Sequence, residues 1–126
     1  MSRREFLDFV LEQMSLLRGL RSRSMFGGFG IYHGDHFFAL LADDRLYIKS
    51  DALNRADFVE RGLSPFVYGA KGKSATMSYY EVPPEVFEDR DAMKFWAEKG
   101  IAAAQRAASS KIKPSAVRPK SRSRRP

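Results

Sequence analysis

The segment "GFGIYHGDHFFALLADDRLYIKS", residues 28–50, decides the fold. Its apolar residues follow the two-residue period of strands, and two polar pairs, Gly34-Asp35 and Asp43-Asp44, interrupt it at two-residue hairpin length. The reading is a three-stranded antiparallel meander. Turns at those pairs set Ile31 opposite Phe38, Gly30 opposite Ala39 and Phe29 opposite Leu40, then Ala39 opposite Ile48 and Leu40 opposite Tyr47.

 One face then carries Phe29, Ile31, Phe38, Leu40 and Tyr47, and the other Gly28, Gly30, Tyr32, Phe37, Ala39, Leu41, Leu46 and Ile48. Neither face is polar, so both call for cover.

On either side of the meander the pattern is helical. Phe6, Phe9, Val10, Met14 and Leu17 recur at spacings of three and four, one stripe of a helix over residues 3–17 that Gly19 ends. Asp51 can cap a second helix reaching about Arg61, where Gly62 is placed to stop it. "FVYGA" (66–70) and "ATMSYYEV" (75–82) read as two more strands joined by "KGKS", and Pro83 and Pro84 break the pattern. A final helix, about Asp91 to Ser109, has a stripe of Met93, Trp96, Ala97, Gly100, Ile101, Ala104 and Ala108. The order helix, three strands, helix, two strands, helix predicts an α+β two-layer sandwich with a five-stranded antiparallel sheet.

The glycines invite a phosphate-binding reading, which their spacing rejects. A dinucleotide fingerprint starting at Gly28 needs a third glycine where His33 stands, and a P-loop ending in Gly72, Lys73 and Ser74 needs glycine where Val67 stands. Gly27, Gly28 and Gly30 are instead expected to be structural, making one face shallow enough for the helix near residues 91–109 to lie close. The opposite face, with Phe29, Ile31, Phe38, Leu40 and Tyr47, is then a surface for a second copy, a protein partner or an apolar ligand.

Composition bounds the function. A chain of 126 residues fits about one domain. It has no apolar run of roughly the 18 residues that span a bilayer, and "MSRREF" does not resemble a secretory leader. A cytoplasmic protein without membrane contact is expected. With no cysteine, disulfides, thiolate metal sites and cysteine nucleophiles are excluded. The net charge of +7 is localised: residues 1–109 hold 15 basic and 15 acidic side chains. Residues 110–126 hold Lys111, Lys113, Arg118, Lys120, Arg122, Arg124 and Arg125 with no acid. Prolines, serines and few large apolar groups make this stretch a disordered basic tail next to a domain over 1–109. Its seven cations suit non-specific contact with nucleic-acid phosphates. Arg18, Arg21 and Arg23 form a second basic cluster.

No catalytic constellation emerges. His33 and His36 face each other across the Gly34-Asp35 turn but lack further metal ligands, and Asp43 and Asp44 are turn residues without a cleft. Tyr79 and Tyr80, adjacent on a strand, point to opposite faces, one to the core and one to a possible contact. Neither cofactor nor metal is expected.

"RSMFGGFGIYHGDHFFALLADDRLYIKSD" from Arg23, then "PFVY", "MSYYEVP" and "FWAEKGIAAA", resembles the amino-terminal domain of the TfoX/Sxy family of bacterial competence regulators, over roughly residues 4–108. The resemblance implies a fold similar to secretion chaperones, no catalytic activity, and a regulatory role beside the transcription machinery or DNA. Larger members carry a second, helical domain, where this sequence has its basic tail.

Overall fold

A computed structural model describes residues 2–25, 27–70 and 73–112. The chain runs through α1 (Arg3–Gln13), β1 (Leu20–Met25), β2 (Gly28–His33), β3 (His36–Ala42), β4 (Arg45–Lys49), α2 (Arg55–Glu60), β5 (Pro65–Ala70), β6 (Lys73–Glu81), a 3₁₀ turn (Pro84–Phe87) and α3 (Arg90–Ile112). The strands form one sheet in the order β1-β2-β3-β4-β6-β5, and every neighbouring pair is antiparallel. The α+β class is as expected, but the sheet has six strands where five were expected. The additional strand is β1, "LRSRSM". Its arginines and serines hide the period of a strand, because an edge strand that reaches the core mainly through Leu20 needs little of an apolar face.

Local chemistry sets the element ends. Ser2 caps α1 in a capping box: its hydroxyl accepts from Glu5 N, and the Glu5 carboxylate accepts from Ser2 N. At the β3–β4 turn Asp43 and Asp44 have φ of 52° and 59°, the left-handed pair that matches hairpin twist. α2 is shorter than expected and is preceded by Asn54; Asp51 lies in the turn before it, accepting from the backbone N–H groups of Leu53 and Asn54. α3 continues past Ser109 to Ile112, so residues 110–112 continue the helix instead of opening the tail.

All three helices feed one core. Leu7 and Val10 of α1 with its C-cap Met14, Phe58 of α2, and Met93, Trp96, Ala97, Ile101 and Ala104 of α3 cluster with Ile31, Phe38, Ala39, Leu41, Leu46 and Ile48 of the sheet. α3 comes close to the sheet at Gly100, where an added Cβ would lie 2.6 Å from Ile48 Cγ2 and 2.8 Å from the Phe38 carbonyl oxygen. The expected β3–β4 register holds, with Ala39 opposite Ile48 and Leu40 opposite Tyr47.

The β2–β3 register does not. His33 pairs with His36 and Tyr32 with Phe37, but the register then shifts, so that Ile31 pairs with Ala39, Gly30 with Leu40 and Phe29 with Leu41. One extra residue on β3, Phe38, makes a bulge. The bulge turns both Phe38 and Ala39 into the core, where each is fully buried. Ile31 and Phe38 therefore belong to the helix-covered face, not to an open one, and Phe29 packs against the same core.

Candidate interaction surface

The opposite face of the sheet is assembled from the other half of each alternation. Tyr32 of β2 stacks on Phe37 of β3 with ring centroids 5.2 Å apart, and Phe37 meets Tyr79 of β6 at 5.6 Å. Tyr47 of β4 makes an edge contact with Phe66 of β5 at 4.9 Å. Leu40, opposite Tyr47, lies among these rings and is almost fully buried. Of the expected partner residues, Leu40 and Tyr47 are here; Phe29, Ile31 and Phe38 are not. Tyr32, Phe37, Phe66 and Tyr79 take their place. The Phe37-Phe38 doublet was the available signal, since two adjacent large apolar residues in a two-residue period suggest a bulge.

The glycines serve strand contact, where a helix contact was expected. A Cβ on Gly28 would collide with the Leu41 carbonyl, and one on Gly30 would come within 2.7 Å of the Met25 and Phe37 side chains. Gly27 has φ +75° at the β1–β2 turn, and its carbonyl accepts from the Arg3 guanidinium. The helix instead makes its close approach through its own Gly100.

Electrostatics separate this face from its surroundings. Burial pushes the Tyr79 phenol up to about 12, with Tyr32 adding to the shift. Lys49 holds its ammonium 5.3 Å from the Tyr79 ring centroid. Burial, followed by the Glu81 carboxylate, raises the Tyr47 phenol as well. Tyr80 points the other way and stacks on Phe58 in the core at 5.3 Å, so the adjacent tyrosines divide between faces as expected.

The basic groups are distributed differently. Arg21 donates to the Gly34 carbonyl at 3.0 Å, lies 3.6 Å from Asp35 and sits over the Tyr32 ring, while Arg18 and Arg23 are exposed. Lys111 falls on the last turn of α3. Lys113, Arg118, Lys120, Arg122, Arg124 and Arg125 lie outside the described residues. Among the described residues no three His, Asp or Glu side chains gather as a metal site, and no helix is long and apolar enough to cross a membrane.

Comparison with known proteins agrees with this architecture. Residues 12–104 match the TfoX N-terminal domain. Over 87 residues, 69% of this chain, the sequence is 37% identical to the DNA transformation protein TfoX1 of Aliivibrio fischeri (strain ATCC 700601 / ES114). The aligned part covers 39% of that relative's length. Because the family match runs from within α1 to Ala104 of α3 and takes in every strand, the chain belongs to the TfoX family.

Proposed function

We propose that this chain is a regulatory accessory protein of the TfoX kind, acting in DNA transformation through macromolecular contact and without chemistry of its own. The observation that carries this reading is the asymmetry of the sheet: one face lies under three helices, the other is tiled with Tyr32, Phe37, Tyr47 and Phe66. Aromatic rings offer large contact area at low conformational cost, which is why they concentrate in protein interfaces. In this reading the aromatic face receives a protein partner, a second copy of the chain or a component of the transcription machinery, in the cytoplasm. The basic residues from Lys111 to Arg125 contact nucleic-acid phosphates without selecting a sequence.

The test uses the full chain in two forms. Replacing Tyr32 and Phe66 by Lys should abolish self-association in light scattering, or capture of a transcription component, while leaving the folded-state circular dichroism intact. Replacing the seven basic residues from Lys111 to Arg125 by Gln should remove DNA binding. The parent should bind DNA with a logarithmic salt slope approaching about −6. Partner binding unchanged by the first set, or DNA affinity unchanged by the second, would overturn the corresponding half of the proposal.

A further inference from the structure

Beneath the carboxy-terminal half of α3 lies an open depression of about 440 Å³, within the roughly 300–1,000 Å³ of pockets that hold small molecules. Three elements wall it: Lys49 and Ser50 from the end of β4, Asp51 and Arg55 from the approach to α2, and Arg106 from α3. Three cations thus surround one carboxylate, and that carboxylate is already engaged. Asp51 accepts from Arg106 Nε at 2.6 Å and from Nη2 at 2.9 Å. Arg55 is exposed and forms no ion pair among the described residues. The wall therefore has positive charge in excess.

Two further observations describe the occupant. Ser50, 1% exposed, lies at the wall of the depression, and its hydroxyl is a buried polar atom with no hydrogen-bond partner among the described residues. Such atoms are rare in folded proteins, because burial costs them their water. On the other side of Lys49 the depression adjoins a second, of about 270 Å³, lined by Phe37, Tyr79, His36, alanines of α3 and Asp35, whose carboxylate is paired with Arg21. Cationic and aromatic walls thus meet at one lysine.

We infer that this groove binds a phosphate ester of mononucleotide size. Its phosphate is held by Lys49, Arg55 and Arg106, and its flat ring lies toward Phe37 and Tyr79. Arginine is a preferred partner of phosphate. The cations converge on one depression from three elements and do not line a track, which favours a small ligand over a nucleic-acid strand. Phe37 and Tyr79 belong to the aromatic face, but ligand binding does not require that face to bind a protein.

The experiment is an amide NMR titration of the full chain with AMP, GMP, inorganic phosphate and a single-stranded oligonucleotide. A mononucleotide should shift Ser50, Ala103 and Ala107 saturably and bind more tightly than inorganic phosphate. Arg55→Ala, at an exposed position, should weaken it by about tenfold, the loss of one charge-assisted contact. Arg106→Lys should weaken it while leaving the fold in place. Shifts confined to the residues after Ile112, affinity unchanged in Arg55→Ala, or tighter binding of the oligonucleotide at Ser50, Ala103 and Ala107 would each overturn the assignment.

Discussion

Gly100 of α3 lies so close to β3 that a methyl group there would stand 2.8 Å from the carbonyl oxygen of Phe38. A backbone carbonyl held in a sheet has little room to retreat. Gly100→Ala should therefore destabilise the protein even though alanine is the better helix former. Overpacking costs about 1–3 kcal/mol, and the helix preference returns about 1 kcal/mol. Urea unfolding should show a net loss of up to about 2 kcal/mol. Stability equal to the parent would place α3 farther from the sheet.

The bulge at Phe38 can be tested by comparing the two faces. Phe38→Ala empties a fully buried site and should cost about 3–5 kcal/mol. Tyr32→Ala, on the half-buried aromatic face, should cost about 1 kcal/mol. In an unbulged register Phe38 would share the open face, and its substitution would be nearly as mild.

Asp51 and Arg106 make stability depend on acid. The hydrogen bonds from Arg106 hold the Asp51 carboxyl below its ordinary range, so the native state binds fewer protons there than the unfolded chain. That contribution is complete above the unfolded carboxylate value of about 4 and is lost as pH falls through the lower folded value. Asp51→Asn should remove this part of the acid dependence, at a cost of about 1 kcal/mol at neutral pH because solvent screens the pair. The measurement is the urea midpoint of parent and variant across pH 2 to 7. Parallel curves would refute the linkage.

Tyr79 works at the alkaline end. Its phenol is pushed up to about 12, so the folded chain keeps a proton that the unfolded chain releases near pH 10. The stabilisation is present below about pH 10 and declines as pH rises toward 12, amounting to about 2–3 kcal/mol at most. Absorbance titration at 295 nm should show a late phenol ionisation, well above pH 10, that belongs to Tyr79. Tyr79→Phe should delete that late step. A late step that survives the substitution would belong to another tyrosine.

Much of this architecture was legible from residue periodicity. The β3–β4 hairpin was set by Asp43-Asp44 alone, since one turn of known length fixes every pair above it. The stripe on α3 named Met93, Trp96, Ala97, Gly100, Ile101 and Ala104, all buried, because helix spacing needs no partner to be recognised; it missed Ala103, which is buried too. The bulge left one signal, the Phe37-Phe38 doublet; its inserted residue leaves the composition unchanged yet moves Phe29, Ile31 and Phe38 to the covered face and Tyr32 and Phe37 to the open one. β1 was hidden for the opposite reason, because Arg21 and Arg23 belong to an edge with no core to face. The groove under α3 depends on Asp51 meeting Arg106, residues far apart in the chain, and no local pattern announces such a pair.

The strand order has a consequence for how the chain folds. β1 to β4 each pair with the next strand along, so that half of the sheet can zip from turn to turn. β6 must instead enter between β4 and β5 and bring Tyr80 against Ile48 across the intervening α2. Closing so long a loop costs more entropy than any hairpin. The β4–β6 seam is thus expected to close after the hairpins, leaving that edge of β4 open for longer in a newly made chain.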